Sequence, residues 1–518
     1  MLKRIKQLCK RVRARFAEPP WDEEHPRWKE LDCDLPPDHV ARRVVAAMLS
    51  LDLKRLFDCY SASGSPAIRP DLMLRIVLIE IVRGRYRPSQ WHQDTLENDA
   101  LKWAGMGIQP SRATWYDFHT RVGPLVEDWN REIIEACFTA GTTDGTQASV
   151  DGSTFEANAS RHRLINQKRL TQRLEELADA CALDEQQQPV NDPPAWMAKI
   201  PETRVNQQSR YERAQERLEE LHEVNNRQDP CRRRAPDKIV VSTSDPEAAL
   251  GRDKFSVFRP LYNVQLVCDL NSPLVLSYEV FARPTDAGTL KPMLSKLESI
   301  KGLSLQDLLA DAGYVTANQL ALCEKGGITL YGPWQENDYS QKKKKKSGGK
   351  QAEWIDKAQF TWLPDEQEYV CPQGHRLAWI GQQKRQQADG GINIMHSYRC
   401  SPEHCGACPV NERCATNPQR GRSVKRSEHE SLVEAHKARM ATDEAKQLYK
   451  KRKQTVELGF ADIKQHRGLR RFPRRGLRHA RTHIGLLVLA HNLLALHQAT
   501  AANDTVDQPS LKPMATTT

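Results

Sequence analysis

The spacing of apolar residues predicts that the first part of the chain is entirely helical. Between residues 36 and 140, apolar side chains recur at intervals of three and four residues, as on one face of an α-helix. Helices are predicted to open at Pro36, at Pro70 and near Gln90, and Ser111 is suited to cap a fourth. The last helices of this segment fit either a helix-turn-helix that binds DNA or a plain helical bundle, and the pattern leaves both open.

After residue 140 the pattern changes to short β-prone runs separated by turns and helices. Asp151 is followed by Gly152, a turn signal, so Asp151 is expected to end one strand of a hairpin. Asp311 is expected to end a later strand, and chemistry in open α/β sheets gathers at strand ends. The predicted order is three strands, helix, strand, helix, strand, which is that of an RNase H-like α/β core with a mixed sheet. The predicted strands are 147–151, 239–242, 262–269, 274–280, 305–311 and 328–331, with helices over 285–300 and 317–325.

Two long stretches interrupt this predicted core, which spans 141–335 and resumes at 431–497. Residues 161–235 are polar and charged, and they predict an inserted helical pair or a partly disordered segment. A second insertion, 336–430, begins with a lysine-rich run that is typical of a solvated basic loop. The apolar run 484–494 is too short to cross a membrane and predicts a buried closing helix, whereas the tail after residue 498 is expected to be disordered.

Composition and charge favour a polyanionic partner. The 518 residues carry a net charge of +11, and the chain has a pI near 9.0. No apolar run reaches the length of a membrane span, so we expect no membrane partner and a cytoplasmic location. The first 35 residues are expected to form a basic arm that faces DNA.

The cysteines indicate a reducing compartment and one candidate structural metal site. There are 13 cysteines, an odd number, and most are scattered singly, which argues against a disulfide framework. The others cluster in the second insertion, where Cys405 and Cys408 have the spacing of half a zinc site. The preferred zinc ligands are Cys371, Cys405, Cys408 and Cys414, with Cys400, His375 and His404 as alternates. Reduced cysteines without a metal are the alternative.

A strongly basic stretch near the C-terminus is the most informative segment of the sequence. Residues 449–464 lack proline and predict one continuous helix, on which Tyr449, Lys453, Glu457 and Lys464 share a stripe. Between residues 446 and 481 the only acids are Glu457 and Asp462, so most of the cations have no partner nearby in sequence. Such a surface is suited to binding phosphates, with the lone glutamate available to a metal ion.

The pattern Tyr449-x2-Arg452-x4-Glu457-x6-Lys464 resembles the C-terminal signature of bacterial DDE-type insertion-sequence transposases. In that family the glutamate is the third metal-binding carboxylate and the neighbouring basic and aromatic residues bind DNA. Some members of the family have three rather than four residues between the arginine and the glutamate. Arg452 and Lys453 are therefore both candidates for the role of that arginine. The resemblance assigns DNA binding to Tyr449, Arg452, Lys453 and Lys464, and the following cations Arg467 and Arg471 are expected to join them.

Two upstream motifs resemble the aspartate motifs of the same transposases. Asp151 opens the phrase Asp-Gly-Ser-x3-Ala-Asn-Ala-Ser, which the nearby Asp144 lacks, and Asp311 lies in Ala-Asp-Ala-Gly-Tyr. The resemblance therefore implies that Asp151, Asp311 and Glu457 form the catalytic triad. Such a set of hard oxygen ligands would hold two Mg²⁺ or Mn²⁺ ions roughly 3.5–4 Å apart at a phosphodiester.

The resemblance further implies a substrate and a reaction. The enzyme would cut double-stranded DNA at the terminal inverted repeats of an insertion sequence and transfer the strands into target DNA. It would work in a bacterial cytoplasm, associated with the nucleoid, as a dimer or higher oligomer on DNA. The alternatives are an inactive DNA-binding relative and an RNase H-like nuclease that cuts without joining. A helical scaffold with a zinc module would explain neither acid motif.

Overall fold

A computed structural model describes residues 15–61, 63–228, 230–253, 256–335, 354–387 and 390–506. Its first part is helical, and Ser111 caps its seventh helix as expected, with Oγ accepting a hydrogen bond from the Thr114 amide at 3.2 Å. A helix also lies within residues 15–35, where the sequence predicted a basic arm; residues 1–14 of that arm lie outside the described residues. The helices are α1 (Pro26–Asp34), α2 (Val40–Ala47), α3 (Lys54–Asp58), α4 (Pro70–Val82), α5 (Pro88–Glu97), α6 (Asp99–Ala104), α7 (Arg112–Val122) and α8 (Val126–Thr139).

The helical part shares one hydrophobic core with the rest of the protein. Its central helix α4 is apolar on nearly every side, and residues such as Leu74 and Ile76 are fully buried. The long final helix, Leu477–Val506, packs against α2, α4 and α8. Its Ile484 and Leu486 are also fully buried. Burial of these faces ties the two ends of the chain together.

A mixed sheet forms the second layer, and its strand order is compatible with an RNase H-like core. Strand β1 (Gln147–Glu156) lies at its centre, antiparallel to the next long strand and parallel to a short one. The other strands are β4 (Ala249–Arg252), β5 (Phe258–Asp269), β6 (Val275–Phe281), β7 (Asp307–Leu309) and β8 (Thr329–Tyr331), after the two-residue strands β2 (Leu164–Ile165) and β3 (Val241–Ser242). Across the sheet the order is β6, β5, β1, β7 and β8. Strand β4 also pairs with β5, on the same edge as β6 but with the first residues of β5.

Two strand predictions were wrong. β1 does not end at Asp151 but continues through Gly152 to Glu156, because Gly152 is extended and pairs with Gln265 of β5. The run 239–242 does not join the main sheet; only its last two residues form β3, which pairs with β2. The connecting helices α11 (Leu290–Glu298) and α12 (Ala317–Lys325) lie where the sequence predicted helices.

The first insertion is a helical pair with its own small core. Helices α9 (Gln167–Glu185) and α10 (Pro201–Asn226) pack together through fully buried Leu170, Leu177 and Leu218. The polar composition predicted either a helical pair or a partly disordered segment, and the described residues form the helical pair.

The second insertion contains a five-stranded antiparallel sheet. Its strands are β9 (Thr361–Leu363), β10 (Glu368–Val370), β11 (Arg376–Gln386), β12 (Ile392–Cys400) and β13 (Ser423–Ser427), with the short helix α13 (Pro402–Gly406) before the last strand. The lysine-rich run predicted as a basic loop lies outside the described residues.

The basic segment near the C-terminus is not the single continuous helix that the sequence predicted. Helices α14 (Glu430–Ala441) and α15 (Asp443–Lys450) are followed by a 3₁₀ turn over Lys451–Gln454. Helix α16 (Val456–Ala461) then passes into a π turn over Asp462–His466. The break falls at Thr455, whose φ of −118° and ψ of −97° are not helical.

The final helix, α17 (Leu477–Val506), extends into the region predicted to be disordered, and residues 507–518 of that tail lie outside the described residues. Within the described residues it is the one helix, over Leu477–Ala501, that is long and apolar enough to cross a membrane. It is also 61% buried inside the protein, as expected of a core helix.

Candidate active site

One face of β1 is covered by the broken helical segment that carries Glu457. Side chains alternate along a strand, so Ser149, Asp151 and Ser153 project from the same face. Each of these three contacts a different residue of the covering segment. Ser149 Oγ lies 2.7 Å from Thr455 Oγ1, Asp151 Oδ2 lies 2.9 Å from Arg452 Nη2, and Ser153 Oγ accepts from Lys464 Nζ at 2.5 Å. This row of contacts fixes the glutamate segment over the strand.

Arg452 joins two of the predicted catalytic acids. Its Nη1 donates to Glu457 Oε1 at 2.8 Å while its Nη2 contacts Asp151. Because both carboxylates bind one rigid guanidinium, their oxygens are no more than about 8 Å apart. The arginine is buried, with 8% of its surface exposed, although its position in a basic stretch suggested a surface residue.

The break at Thr455 makes this bridge possible. In a regular α-helix, residues five apart point in directions that differ by about 140°, so Arg452 and Glu457 would diverge. Thr455 leaves the helical region, and its hydroxyl bonds the carbonyls of Lys451 and Arg452 at 3.3 and 3.2 Å. The sequence pattern alone gave no sign of this turn, because it depends on contacts with a distant strand.

Asp311 lies just beyond the end of β7, the strand that runs parallel to β1. β1 and β7 are parallel, with Ser149 opposite Leu309. Asp311 comes two residues after Leu309, and its negative charge is near enough to raise the pKa of Asp151. The sequence predicted that Asp311 ends its strand, but β7 ends two residues earlier, at Leu309, and Asp311 lies in the following turn. Its Oδ1 accepts a hydrogen bond from the Gly313 amide at 2.7 Å.

Burial and the neighbouring acids perturb the pKa of Asp151. Burial raises the pKa of Asp151 to about 6, and the nearby Asp311 and Asp286 act in the same direction. Arg452 opposes this rise but does not outweigh burial. Burial also raises the pKa of Tyr449, and the negative charges of all three predicted catalytic acids add to that rise. Tyr449 therefore lies in the same electrostatic environment as the acids.

A hydrogen-bond network that the sequence reasoning missed lies on the opposite face of β1. Asp286 Oδ1 accepts from Asn263 Nδ2 at 2.8 Å and from Gln265 Nε2 at 2.7 Å. The Tyr314 hydroxyl, three residues after Asp311, donates to the Gln265 side chain. Asn263 and Gln265 are fully buried. The alternation of polar with apolar residues along β5 was the available signal, because a buried polar stripe needs partners.

Gly152 allows this network to approach the strand. A Cβ at this position would lie 2.0 Å from Asp286 Oδ1 and 2.1 Å from Gln265 Nε2. Any side chain would therefore collide with both polar groups, although the glycine itself has an ordinary extended conformation. The glycine after Asp151 is required for space, rather than for the turn that the sequence suggested.

The other predicted DNA-binding residues differ in how available they are. Lys453 and Arg471 are exposed, as a phosphate contact requires, but the Arg471 guanidinium also donates to two backbone carbonyls, those of Ala157 at 3.3 Å and Ala159 at 3.5 Å. Lys464 is half-buried and donates to the Thr154 carbonyl at 2.8 Å as well as to Ser153, with its ammonium 4.4 Å from the Phe155 ring centroid. Arg467 donates to Asp462 at 2.6 Å. Tyr449 is half-buried, and Arg452 faces the acids.

The donor set is chemically suited to Mg²⁺ or Mn²⁺. Carboxylate oxygens are the ligands that these hard ions prefer, and Asp151 with Glu457 already brackets a position filled by a cationic group. In the described part of the chain, however, no three His, Cys, Asp or Glu side chains stand in the arrangement of a metal site.

The cysteine-rich insertion forms a small cavity. It has a volume of ≈ 20 Å³ and is lined by Cys371, His375, Cys400, His404, Cys405, Cys408 and Cys414, among others. All four preferred zinc ligands and all three alternates therefore face one space. The rings of His375 and His404 stack at 4.4 Å. Among the described residues, these side chains do not stand in the arrangement of a metal site either, so zinc binding stays a prediction.

Comparison with known proteins bears on the glutamate half of the site. Residues 370–497 match the family described as the transposase DDE domain. The match confirms the resemblance to DDE-type transposases. It contains Glu457 and strands β11 to β13 of the cysteine-rich insertion but neither predicted aspartate. No curated protein matches the chain.

Proposed function

We propose that this protein is a transposase that cleaves DNA at the ends of an insertion sequence and transfers the strands into target DNA. A transposase DDE domain over residues 370–497 supports transposition in general. The observation that carries the finer proposal is the convergence of acids from three distant segments. Asp151 on β1 and Glu457 on α16 bind one buried guanidinium, and Asp311, which follows β7, is near enough for its charge to raise the pKa of Asp151.

The proposed mechanism assigns a separate part to each acid. Asp151 on β1 and Asp311 just after the parallel strand β7 would form the part of the site that the sheet supplies, while Glu457 would close it from the covering segment. Two Mg²⁺ or Mn²⁺ ions bound by these residues would activate water or a DNA 3′-hydroxyl and stabilise the leaving oxygen. The network of Asp286, Gln265 and Tyr314 holds the loop after Asp311 against the sheet. No covalent enzyme intermediate is needed.

We further propose that the DNA lies along the basic segment beside the acids. The net charge of +11 favours a polyanion, and the side chains of Lys453 and Arg471 are exposed on either side of Glu457 in sequence. Tyr449 would contact the same strand near the scissile phosphate. The proposed partner is double-stranded DNA with terminal inverted repeats, bound by a dimer or higher oligomer. The cysteine cluster would hold a structural Zn²⁺ ion away from the chemistry.

A cleavage assay tests this function. The substrate is a supercoiled plasmid that carries the DNA flanking the protein's own reading frame, incubated with full-length protein and Mg²⁺. We expect Asp151→Asn, Asp311→Asn and Glu457→Gln each to abolish nicking, because an amide cannot supply the charge that assembles the metals. Asp307→Asn is the matched control. Asp307 begins the same strand that Asp311 follows, and it bonds Gln147 Nε2 at 2.8 Å.

The assay also separates the alternatives. Nicking by Asp311→Asn at the wild-type rate would remove that residue from the site. No nicking by the wild-type protein would favour an inactive DNA-binding relative, whereas metal-independent nicking would contradict the metal-dependent mechanism. Pre-cut ends that the protein fails to join to target DNA, despite nicking, would indicate a nuclease without strand transfer.

A further inference from the structure

We propose that Arg452 is a built-in counterion that occupies the cation position between Asp151 and Glu457 and must leave when a divalent metal ion binds. The inference rests on the proposed function, because it concerns the same carboxylates. It makes metal loading a switch: the guanidinium is bound inward without metal and is released toward the DNA with metal.

The first argument is the geometry of the bridge. Two oxygen atoms from residues far apart in sequence bind the two terminal nitrogens of one guanidinium at 2.9 and 2.8 Å. The bridge exists only because the backbone breaks at Thr455, and Thr455 is itself bonded to Ser149 of β1. The turn over 451–454 is therefore a built feature that directs Arg452 inward.

The second argument is that the inward position of Arg452 is incompletely satisfied. Its Nε is buried and has no hydrogen-bond partner among the described residues. A buried donor without a partner costs free energy that leaving the site would recover. The Glu457 side chain is 43% exposed, so its bond with Arg452 lies in contact with solvent and is readily exchanged.

The third argument is charge. Among the described residues, Asp311 makes no ion pair, and Arg452 is the only cation bonded to Asp151 or Glu457. Three carboxylates and one guanidinium leave two negative charges uncompensated, which attracts a divalent ion. Once such an ion neutralises Asp151 and Glu457, they no longer favour the guanidinium, and like charges repel it.

The switch predicts a coupling that a purely structural salt bridge would not produce. Removing the competing cation should strengthen metal binding, whereas removing a supporting residue should weaken it. Arg259 offers a matched control, because it also bridges two carboxylates, Glu156 at 2.6 Å and Asp253 at 2.8 Å, elsewhere on the sheet.

The test is calorimetric titration of Mn²⁺ alone into the metal-free full-length protein. We expect Arg452→Gln to bind Mn²⁺ about tenfold more tightly than wild type, Arg452→Lys to lie between them, and Arg259→Gln to match wild type. Asp151→Asn should abolish binding with or without Arg452. Thermal melting of each variant without and with Mn²⁺ checks folding, and the metal should raise the Tm of Arg452→Gln more than that of wild type.

The outcomes separate the inference from the proposed function. Equal or weaker Mn²⁺ affinity in Arg452→Gln, with binding still dependent on Asp151, would overturn the switch and leave the metal site standing. No Mn²⁺ binding by wild type, Arg452→Gln or Arg452→Lys would overturn both.

A second measurement follows the released guanidinium. We expect the salt slope of DNA binding by wild type to steepen by about 0.9 on adding Ca²⁺, which is the value of one more phosphate contact. Arg452→Gln should show no such change. An unchanged slope in wild type would contradict release toward the DNA.

Discussion

Replacing Gly152 with alanine should disable the site without touching any of its acids. The added Cβ would lie 2.0 Å from Asp286 Oδ1 and 2.1 Å from Gln265 Nε2, inside ordinary van der Waals contact by more than about 1 Å. Asp286 and Gln265 are bonded to each other and to Asn263 and Tyr314, so neither can retreat without breaking hydrogen bonds. Either the network breaks or β1 shifts, and a shift would displace Asp151.

The expected loss in the free energy of unfolding follows from the buried donors that would lose their hydrogen-bond partner. Asn263 and Gln265 are fully buried, and a buried unsatisfied donor costs about 1–3 kcal/mol, so two cost about 2–6 kcal/mol. Gly459 provides the control, because a Cβ there would meet Cys268 Sγ at 3.8 Å, an ordinary contact. Gly459 lies within α16, so Gly459→Ala should be neutral or stabilise by about 1 kcal/mol.

The assays are calorimetric melting and Mg²⁺-dependent plasmid nicking. We expect Gly152→Ala to lower the Tm and to lose nicking, while Gly459→Ala keeps both. Nicking and a Tm at wild-type levels in Gly152→Ala would refute the claim that this strand and its network are tightly packed.

Three further predictions concern other parts of the protein. Burial and the neighbouring Asp94 raise the pKa of Glu80 from 4.5 to about 8, against the opposing effect of Arg83, so the folded state holds an extra proton between these values. The stability of the protein should therefore fall as the pH rises from about 4.5 to 8. Glu80→Gln should remove this fall in Tm, and an unchanged pH profile of the Tm in that variant would contradict the assignment. Lys464→Met should lower the Tm of the DNA-free protein by about 1–3 °C, because it removes two half-buried hydrogen bonds, and an unchanged Tm would indicate a role in DNA binding alone. Cys405→Ala should lose a bound Zn²⁺ ion by elemental analysis, and zinc-free native protein would refute that site.

Much of the fold could be predicted because its elements are patterned locally. Strands β5 and β6 and helices α11 and α12 lie close to their predicted positions, since each carries its own periodicity or turn signals. The helical pair of the first insertion followed from the same reasoning. These elements needed no knowledge of the rest of the chain.

The failures fall where distant contacts override local preference. Asp-Gly usually forms a turn, yet Gly152 continues β1 because β5 pairs with it and the Asp286 network leaves no room for a side chain. The predicted continuous helix breaks at Thr455 because Ser149 and Asp151 bind this segment from another strand. The acids themselves were identified by resemblance to the transposase family. Their positions on the strands and the inward position of Arg452 depend on the folded chain and could not be predicted from the sequence.

The most direct test of the central claim is an anomalous diffraction map from crystals of the full-length protein grown with Mn²⁺. We predict a peak within about 2.0–2.4 Å of carboxylate oxygens from Asp151 and Glu457, close to Asp311, with the Arg452 guanidinium moved out of the site. A map in which Arg452 still bridges Asp151 and Glu457 at saturating Mn²⁺, with no peak beside these acids, would contradict the account.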